Sequence, residues 1–323
     1  MPLATIGTDI QKAANLLREG ELVAIPTETV YGLAGNALDT QAVTKIFEAK
    51  NRPSFNPLIV HCANLEVVDR YVEHIPLMAR KAAAHFWPGP LTILLPKKPI
   101  IHDLVTAGSE LVAIRIPSHP LTNSLLEEID SPVAAPSANP FGYISPTNAH
   151  HVADQLGDKI KYILDGGNTL VGIESTIIGF DEQGRGVVYR HGGISKEALE
   201  EVLGPVCSVK LKGKKPDAPG MLKSHYAPQT SFVLGDLDEL LPKFPHTKIG
   251  VISFGRLIST IPANQQVMLS PKGSMAEAAR NLFAAMRKLD SLKLQTIIAE
   301  PLPEEGLGRA INDRLRRAAA DKN

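Results

Sequence analysis

A mixed α/β fold divided between two domains is what this sequence predicts, on three observations. Helical periodicity alternates repeatedly with short apolar runs bounded by turn residues, the pattern of strands buried against helices. After Gly204-Pro205, roughly twenty residues carry lysines and prolines without periodicity, which marks a linker. The 323 residues exceed what one hydrophobic core usually supports, and each part is long enough to bury a core of its own.

Asp9 is expected to cap a first helix whose Ile10, Ala13, Ala14 and Leu17 share one face, with Gly20 closing it before an apolar run at 22–25. A second helix is predicted from Thr40 to Lys50, ahead of a run at 58–60, and Pro76 takes the first helical position of a third that reaches Phe86. Runs at 91–95, 112–116, 133–135, 162–164, 176–178 and 187–189 read as buried strands. A helix at 196–203 ends the first domain, 1–207. The linker spans 208–230 and includes Lys210, Lys212, Lys214 and Lys215; the second domain is 231–323. There, strands are expected at 232–234, 249–254 and 296–299, and Ser274 with Glu277 forms a capping box for a helix carrying Ala278, Ala279, Leu282, Met286 and Leu289 on one face. That is the pattern of a small Rossmann-like α/β domain.

Lys plus Arg equal Asp plus Glu at 34 each, which argues against a protein that wraps duplexes or coats polyanions. Cys62 and Cys207 match no metal or redox spacing and read as ordinary buried thiols of a reducing compartment. The N-terminal region carries Asp9 and Glu19 where a secretory leader would be basic, and no run approaches the ~18 apolar residues of a membrane span. A cytoplasmic protein without membrane contact is therefore expected. His150 and His151 lack acidic or thiolate neighbours, so no protein-held metal is expected. Arg309, Arg314, Arg316 and Arg317 read as the solvated face of a last helix, opened by Gly306 and Gly308.

No Walker loop, dinucleotide turn, zinc helix or nucleophile elbow occurs, so any phosphate chemistry must use another scaffold. Five clusters place polar or cationic groups at strand ends, where open α/β sheets form their ligand crevices. Residues 26–33, PTETVYGL, put Thr27, Glu28, Thr29 and Tyr31 around one turn; this suits a small polar ligand or a turn held by threonine hydroxyls. Lys50 and Arg52, followed by Asn56 and His61, either face a ligand or partner a helix dipole. Arg115 interrupts an apolar run and needs an anion, which a ligand or an internal carboxylate would supply. Ser137, Asn139 and Ser145 follow the run at 133–135 as a phosphate-suited loop, and Ser175 opens one strand while Arg190 closes the next. Jointly they provide cations, hydroxyls and amides without a nucleophile or an obvious base. That inventory suits adenylate formation, in which positioning and charge neutralisation carry the catalysis.

The stretches PTETVYGL (26–33), KNRP with NPL (50–58), WPGPLT (87–92), SAN (137–139), GIEST (172–176) and PGMLKSHYAP (219–228) together resemble the YrdC-like threonylcarbamoyl-AMP synthases in their long, two-domain form. The resemblance implies a twisted mixed sheet around a concave, positively lined cavity. It also implies a nucleotidyltransferase reaction: L-threonine, bicarbonate and ATP give threonylcarbamoyl-adenylate and pyrophosphate, with Mg²⁺ carried by the ATP. The product passes to a separate transferase that modifies tRNA, and tRNA itself is at most weakly touched. By position, Thr29, His61, Arg115 and Ser175 would contact threonine. Arg52, Asn56, Ser137, Asn139, Ser145, Arg190 and Tyr226 would contact ATP or line its part of the cavity, Lys50 and Arg52 would be catalytic, and His225 with Tyr226 would close over the site. Two rivals compete with this: an RNA-binding module without catalysis, and a carbamoyl-transferring maturation enzyme sharing the YrdC-like domain. Neutral charge weighs against the first, and the missing acylphosphatase-like and zinc-knuckle regions against the second.

Overall fold

A computed structural model describes residues 3–209, 219 and 225–320; Lys210, Lys212, Lys214 and Lys215 lie outside the described residues. Strands β1 (Thr5–Gly7), β2 (Val23–Ile25), β3 (Gly32–Asn36), β4 (Ile59–His61), β5 (Leu91–Pro96), β6 (Leu111–Arg115), β7 (Val133–Ala134), β8 (Tyr162–Leu164), β9 (Thr176–Phe180), β10 (Gly186–Arg190) and β11 (Cys207–Ser208) form one mixed sheet. Their spatial order is β1-β8-β2-β3-β7-β4-β6-β5-β9-β10-β11. A second sheet, wholly parallel, contains β12 (Ser231–Leu234), β15 (Thr296–Ala299), β13 (Ile249–Ser253) and β14 (Gln266–Met268) in that order.

Local chemistry sets the helix ends. The Asp9 carboxylate accepts from the Lys12 amide at 3.0 Å and starts the helix Ile10–Arg18, whose Ala13, Ala14 and Leu17 are buried. Asp39 caps Thr40–Lys50 in the same way, and left-handed Asn51 (φ 52°) stops it, turning the chain inward at Arg52. Pro76 stands one residue earlier than expected, as the N-cap of Leu77–Phe86. Ser274 Oγ accepts from the Glu277 amide, but the reciprocal half of the expected capping box is replaced. Glu277 accepts from the Ser270 hydroxyl at 2.5 Å, and Ser270 accepts from the Ser274 amide at 2.8 Å.

Strand alternation divides the large sheet into two faces. Val60, Val112, Ile114, Ile93 and Ile178 join the main core, with Ala79, Ala82 and Ala83 of one helix and Leu199 and Leu203 of another. At about 1.5–3 kcal/mol per buried large aliphatic side chain, this layer anchors the centre of the sheet. The alternate residues Ile59, Leu94, Ala113 and Ile177 form only a small cluster on the opposite face. In the second domain Ile297 and Ala299 pack on the helices Met275–Ser291 and Gly308–Ala318, while Ile298 packs on Leu237, Leu241, Ile249 and Val251. Val30, Ile144 and Ile173 of the first domain belong to the same apolar cluster as that helix layer, so the two domains share a core.

Three expectations need correction. Cys62 is buried but Cys207 is exposed, because its strand β11 forms the rim of the sheet. The last helix does not show solvent a purely basic face: Arg314 is fully buried, three residues after Ile311 and one before Leu315, on the face that packs inward. Strands β1, β3 and β14 carry no apolar run of their own and escape periodicity; tertiary pairing makes them.

Candidate active site

The small-cluster face of the large sheet carries the polar side chains. In the parallel pair β4/β6, His61 lies directly beside Arg115, and both point to the side of Ile59 and Ala113. Ser175, just before β9, shares that side, and its hydroxyl meets Thr92 of β5 at 2.7 Å. Arg190 reaches the same side through a bulge: Val188 pairs with Ile178, Arg190 pairs with Ile177, and Tyr189 is the extra residue between them. Without the inserted residue, alternation would send Arg190 into the main core with Val188.

A hollow of about 500 Å³, including its open mouth, collects these groups. Thr29, Arg52, His61, Arg115, Ser137, Ser175, Arg190 and Tyr226 line it, as do His225, Pro219 and Glu174. Lys50, Asn56, Asn139 and Ser145 stand behind the wall. The Lys50 ammonium donates to the carbonyls of Ser137 and Asn139, each at 2.5 Å. It thereby fixes the Ser-Ala-Asn loop from outside the lining of the hollow, and burial and the nearby Arg52 charge hold its proton affinity well below the usual lysine value. Asn139 donates to the carbonyls of Pro140 and Tyr143, and Ser145 donates to Glu174 at 2.6 Å. Asn56 is fully buried with no side-chain hydrogen bond among the described residues.

The arginines fall into two electrostatic classes. Arg115 is paired internally with Glu28 at 2.7 Å, both nearly inaccessible, and also donates to Thr29 Oγ1 at 2.9 Å and the Gly89 carbonyl at 3.3 Å. The internal-carboxylate alternative is thus realised, although Arg115 still faces the hollow. The remaining oxygen of Glu28 accepts the Ser118 amide at 3.1 Å. Arg52 and Arg190 have neutral partners: Arg52 donates to the carbonyls of Asn56 (3.2 Å) and Pro57 (2.8 Å), and Arg190 to the carbonyls of Ser175 (3.1 Å) and Pro219 (3.0 Å) and to Ser175 Oγ (3.1 Å). Burial pushes Arg52 down to about 9, with Arg190 adding to the fall against the opposing Tyr226. Arg190 is lowered likewise by burial. Burial and the Arg115 charge push His61 down to about 3, so its imidazole is neutral.

The first turn is held by a threonine hydroxyl. Thr27 Oγ1 accepts the amides of Thr29 and Val30 and donates to the Val30 carbonyl at 2.6 Å, while Thr29 faces the hollow. From the sequence Glu28 has only a place in the polar turn and Glu174 no role, yet each compensates a buried arginine, Arg115 and Arg314 respectively. The available signal was a carboxylate inside a small polar motif next to a buried strand, which needs a cation. Among the described residues no cluster of His, Cys, Asp and Glu forms a metal site, and no helix is long and apolar enough to cross a membrane.

Comparison with known proteins agrees with this architecture. The Sua5/YciO/YrdC family model, described as telomere recombination, matches residues 15–192, and the model for the threonylcarbamoyl-AMP synthase C-terminal domain matches 194–320. Threonylcarbamoyl-AMP synthase of Pyrococcus abyssi is 43% identical over 96% of this chain and 94% of its own length. The Bacillus subtilis protein of that name is 41% identical over 99% of this chain and 95% of its own. A crystal structure of P. abyssi Sua5 complexed with L-threonine superposes with a TM-score of 0.90 at 40% identity, covering 99% of this chain and 97% of that one. The chain belongs to the threonylcarbamoyl-AMP synthase family, in its two-domain form.

Proposed function

We propose that this protein condenses L-threonine, bicarbonate and ATP into L-threonylcarbamoyl-adenylate and pyrophosphate. The observation that carries this is the convergence of Arg52 from the loop after Thr40–Lys50, Arg115 from β6 and Arg190 from β10 on one hollow that also presents hydroxyls. Full-length similarity to named threonylcarbamoyl-AMP synthases, one solved with L-threonine, supports the same activity. In this proposal Arg115, with Thr29, His61 and Ser175, receives threonine. Its amine combines with bicarbonate to give a carbamate and water, and a carbamate oxygen attacks the α-phosphorus while pyrophosphate leaves. Arg52 and Arg190, with Ser137, neutralise phosphate charge as it redistributes. Asn56 and Ser145 complete the nucleotide side from just behind the wall, and Lys50 and Asn139 position the loop that carries Ser137. His225 and Tyr226, on the segment entering the second domain, cover the hollow and exclude water.

A Mg²⁺ carried by ATP would supply further charge neutralisation on the triphosphate. Glu28 and Glu174 are each engaged by an arginine, so the donor set suits a nucleotide that brings its own metal. The adenylate then passes, in the cytoplasm, to a transferase acting on tRNA. In this reading residues 1–207 are the catalytic domain, 208–230 the linker and 231–323 the second domain; the large sheet runs to Ser208 and the small one begins at Ser231. Incubation with ATP, threonine and labelled bicarbonate tests the activity: a labelled adenylate should accumulate in step with pyrophosphate, and only with threonine present. Pyrophosphate release that ignores threonine would remove the proposal.

A further inference from the structure

Arg314 lies in the last helix of the second domain, yet its guanidinium is fully buried against the catalytic domain. Its Nε donates to Glu174 Oε2 at 3.0 Å, and Nη1 donates to the His191 carbonyl at 2.6 Å. The same guanidinium lies 5.3 Å from the centre of the Tyr226 ring. Glu174 and Tyr226 both line the hollow. Through its other oxygen Glu174 accepts the Ser145 hydroxyl, and the Ser145 carbonyl accepts from Arg287 Nε at 3.2 Å, again from the second domain. Adhesion between the domains does not need these charges, because Val30, Ile144 and Ile173 already join the second domain's apolar layer. Replacing a buried ion pair by apolar residues of similar volume is often neutral or stabilising, so stability alone does not account for this one.

We infer that Arg314 is a positioning residue of the active site, acting through Glu174 to set the wall on the nucleotide side. The inference rests on the ATP-dependent activity proposed above. Arg314 donates to one oxygen of Glu174 and so fixes the orientation of the carboxylate whose other oxygen accepts the Ser145 hydroxyl. Ser145, directly behind the wall, is thus held in one orientation and supports the nucleotide side of the hollow. The second domain thereby becomes part of the nucleotide site of this two-domain enzyme.

The test compares full-length wild type with Arg314→Met, Glu174→Gln and the double variant. Steady-state pyrophosphate release gives KM for ATP and for threonine separately, and hydrogen exchange without ligand follows segments 142–146 and 173–176. Arg314→Met should raise KM for ATP at least tenfold, leave KM for threonine within twofold, and speed exchange in both segments. In the Glu174→Gln background the Arg314 change should alter KM for ATP by less than threefold, because its route is already cut. An unchanged KM for ATP with unchanged exchange, or full additivity in the double variant, overturns the inference. If Arg314→Met does not fold because Glu174 is left unpaired, the double variant removes both charges and its comparison with Glu174→Gln decides. If wild type shows no threonine-dependent turnover, the proposed activity falls, while the exchange arm still judges whether Arg314 orders the wall.

Discussion

Removing the Arg115 guanidinium separates its ion pair with Glu28 from the threonine contact proposed for it. Arg115→Ala deletes the 2.7 Å ion pair with Glu28 and the 2.9 Å bond to Thr29, leaving the buried Glu28 carboxylate, among the described residues, with the Ser118 amide. Breaking a buried pair from one side costs about 3–5 kcal/mol. At roughly 2–4 °C per kcal/mol for a domain of this size, the melting temperature should fall by about 6–20 °C. Losing a charge-assisted contact to the threonine carboxylate should independently cost about 2–5 kcal/mol, a roughly thirtyfold to several-thousandfold rise in Kd. The double variant Arg115→Met with Glu28→Gln distinguishes the two effects. It leaves no unpaired ion and should recover most of the melting temperature, whereas threonine affinity in calorimetry should stay lost. If either variant bound threonine within a factor of two of wild type, Arg115 would be only the internal partner of Glu28, and the assignment of the amino-acid subsite would fall.

Three further outcomes follow from burial and protonation. His61, ordinarily near 6.5 and held at about 3 in the fold, binds its proton only on unfolding across that window. Stability is therefore lost as pH falls below about 6.5, at about 1.4 kcal/mol per unit and until pH approaches 3; urea unfolding at stepped pH should show a shallower slope for His61→Asn, and an identical slope would refute neutral burial as its source. Iodoacetamide at mildly alkaline pH should label one cysteine per native chain, the exposed Cys207, while burial raises the Cys62 thiol to about 12 and protects it until unfolding; mass spectrometry finding Cys62 labelled in the native state would contradict this. Tyr226→Ala should destabilise the fold by about 3–5 kcal/mol, since the ring is buried 5.6 Å from Phe283 in the core shared by the domains; a urea midpoint within error of wild type would show that this segment is only loosely docked.

Where the sequence could be read, the determining contacts were local. The helices Thr40–Lys50 and Lys196–Leu203 are bounded by their own caps, Asp39 and Ser195, and by residues free to turn the chain, so periodicity and capping locate them. Arg115 announced itself because a charge inside an apolar run must find an anion. The same logic was available at Arg314, which sits among Ile311, Leu315 and Ala318 at helical spacing, but the neighbouring Arg309, Arg316 and Arg317 made a solvated face look sufficient. Its partner Glu174 is 140 residues away, a distance over which no local rule acts. Arg190 was legible as a cation at a strand end, but not its face, since that depends on the bulge after Val188. Lys50 looked like a ligand group for the opposite reason: its acceptors are backbone carbonyls, which have no side-chain signature.

The charges around the hollow explain why a polyanion belongs there. Glu28 and Glu174 offset Arg115 and Arg314, leaving Arg52 and Arg190 buried with carbonyl and hydroxyl partners and no carboxylate within salt-bridge distance among the described residues. Retaining such cations costs several kcal/mol each even after relaxation, and the lowered proton affinities of both side chains express that cost. A core evolving for stability alone would replace them with aliphatic residues. A triphosphate reverses the balance, because its negative charge interacts in a partly dehydrated site where each contact is stronger than in water. The folded chain should therefore gain stability from ATP with the logarithm of its concentration above Kd, about 2.7 kcal/mol at a hundredfold excess. Arg52→Met with Arg190→Met should show little or none of that ATP-dependent gain while matching or exceeding wild type without nucleotide. If the double variant were instead strongly destabilised when nucleotide-free, the two arginines would serve the fold first, and their convergence would no longer single out an anionic substrate.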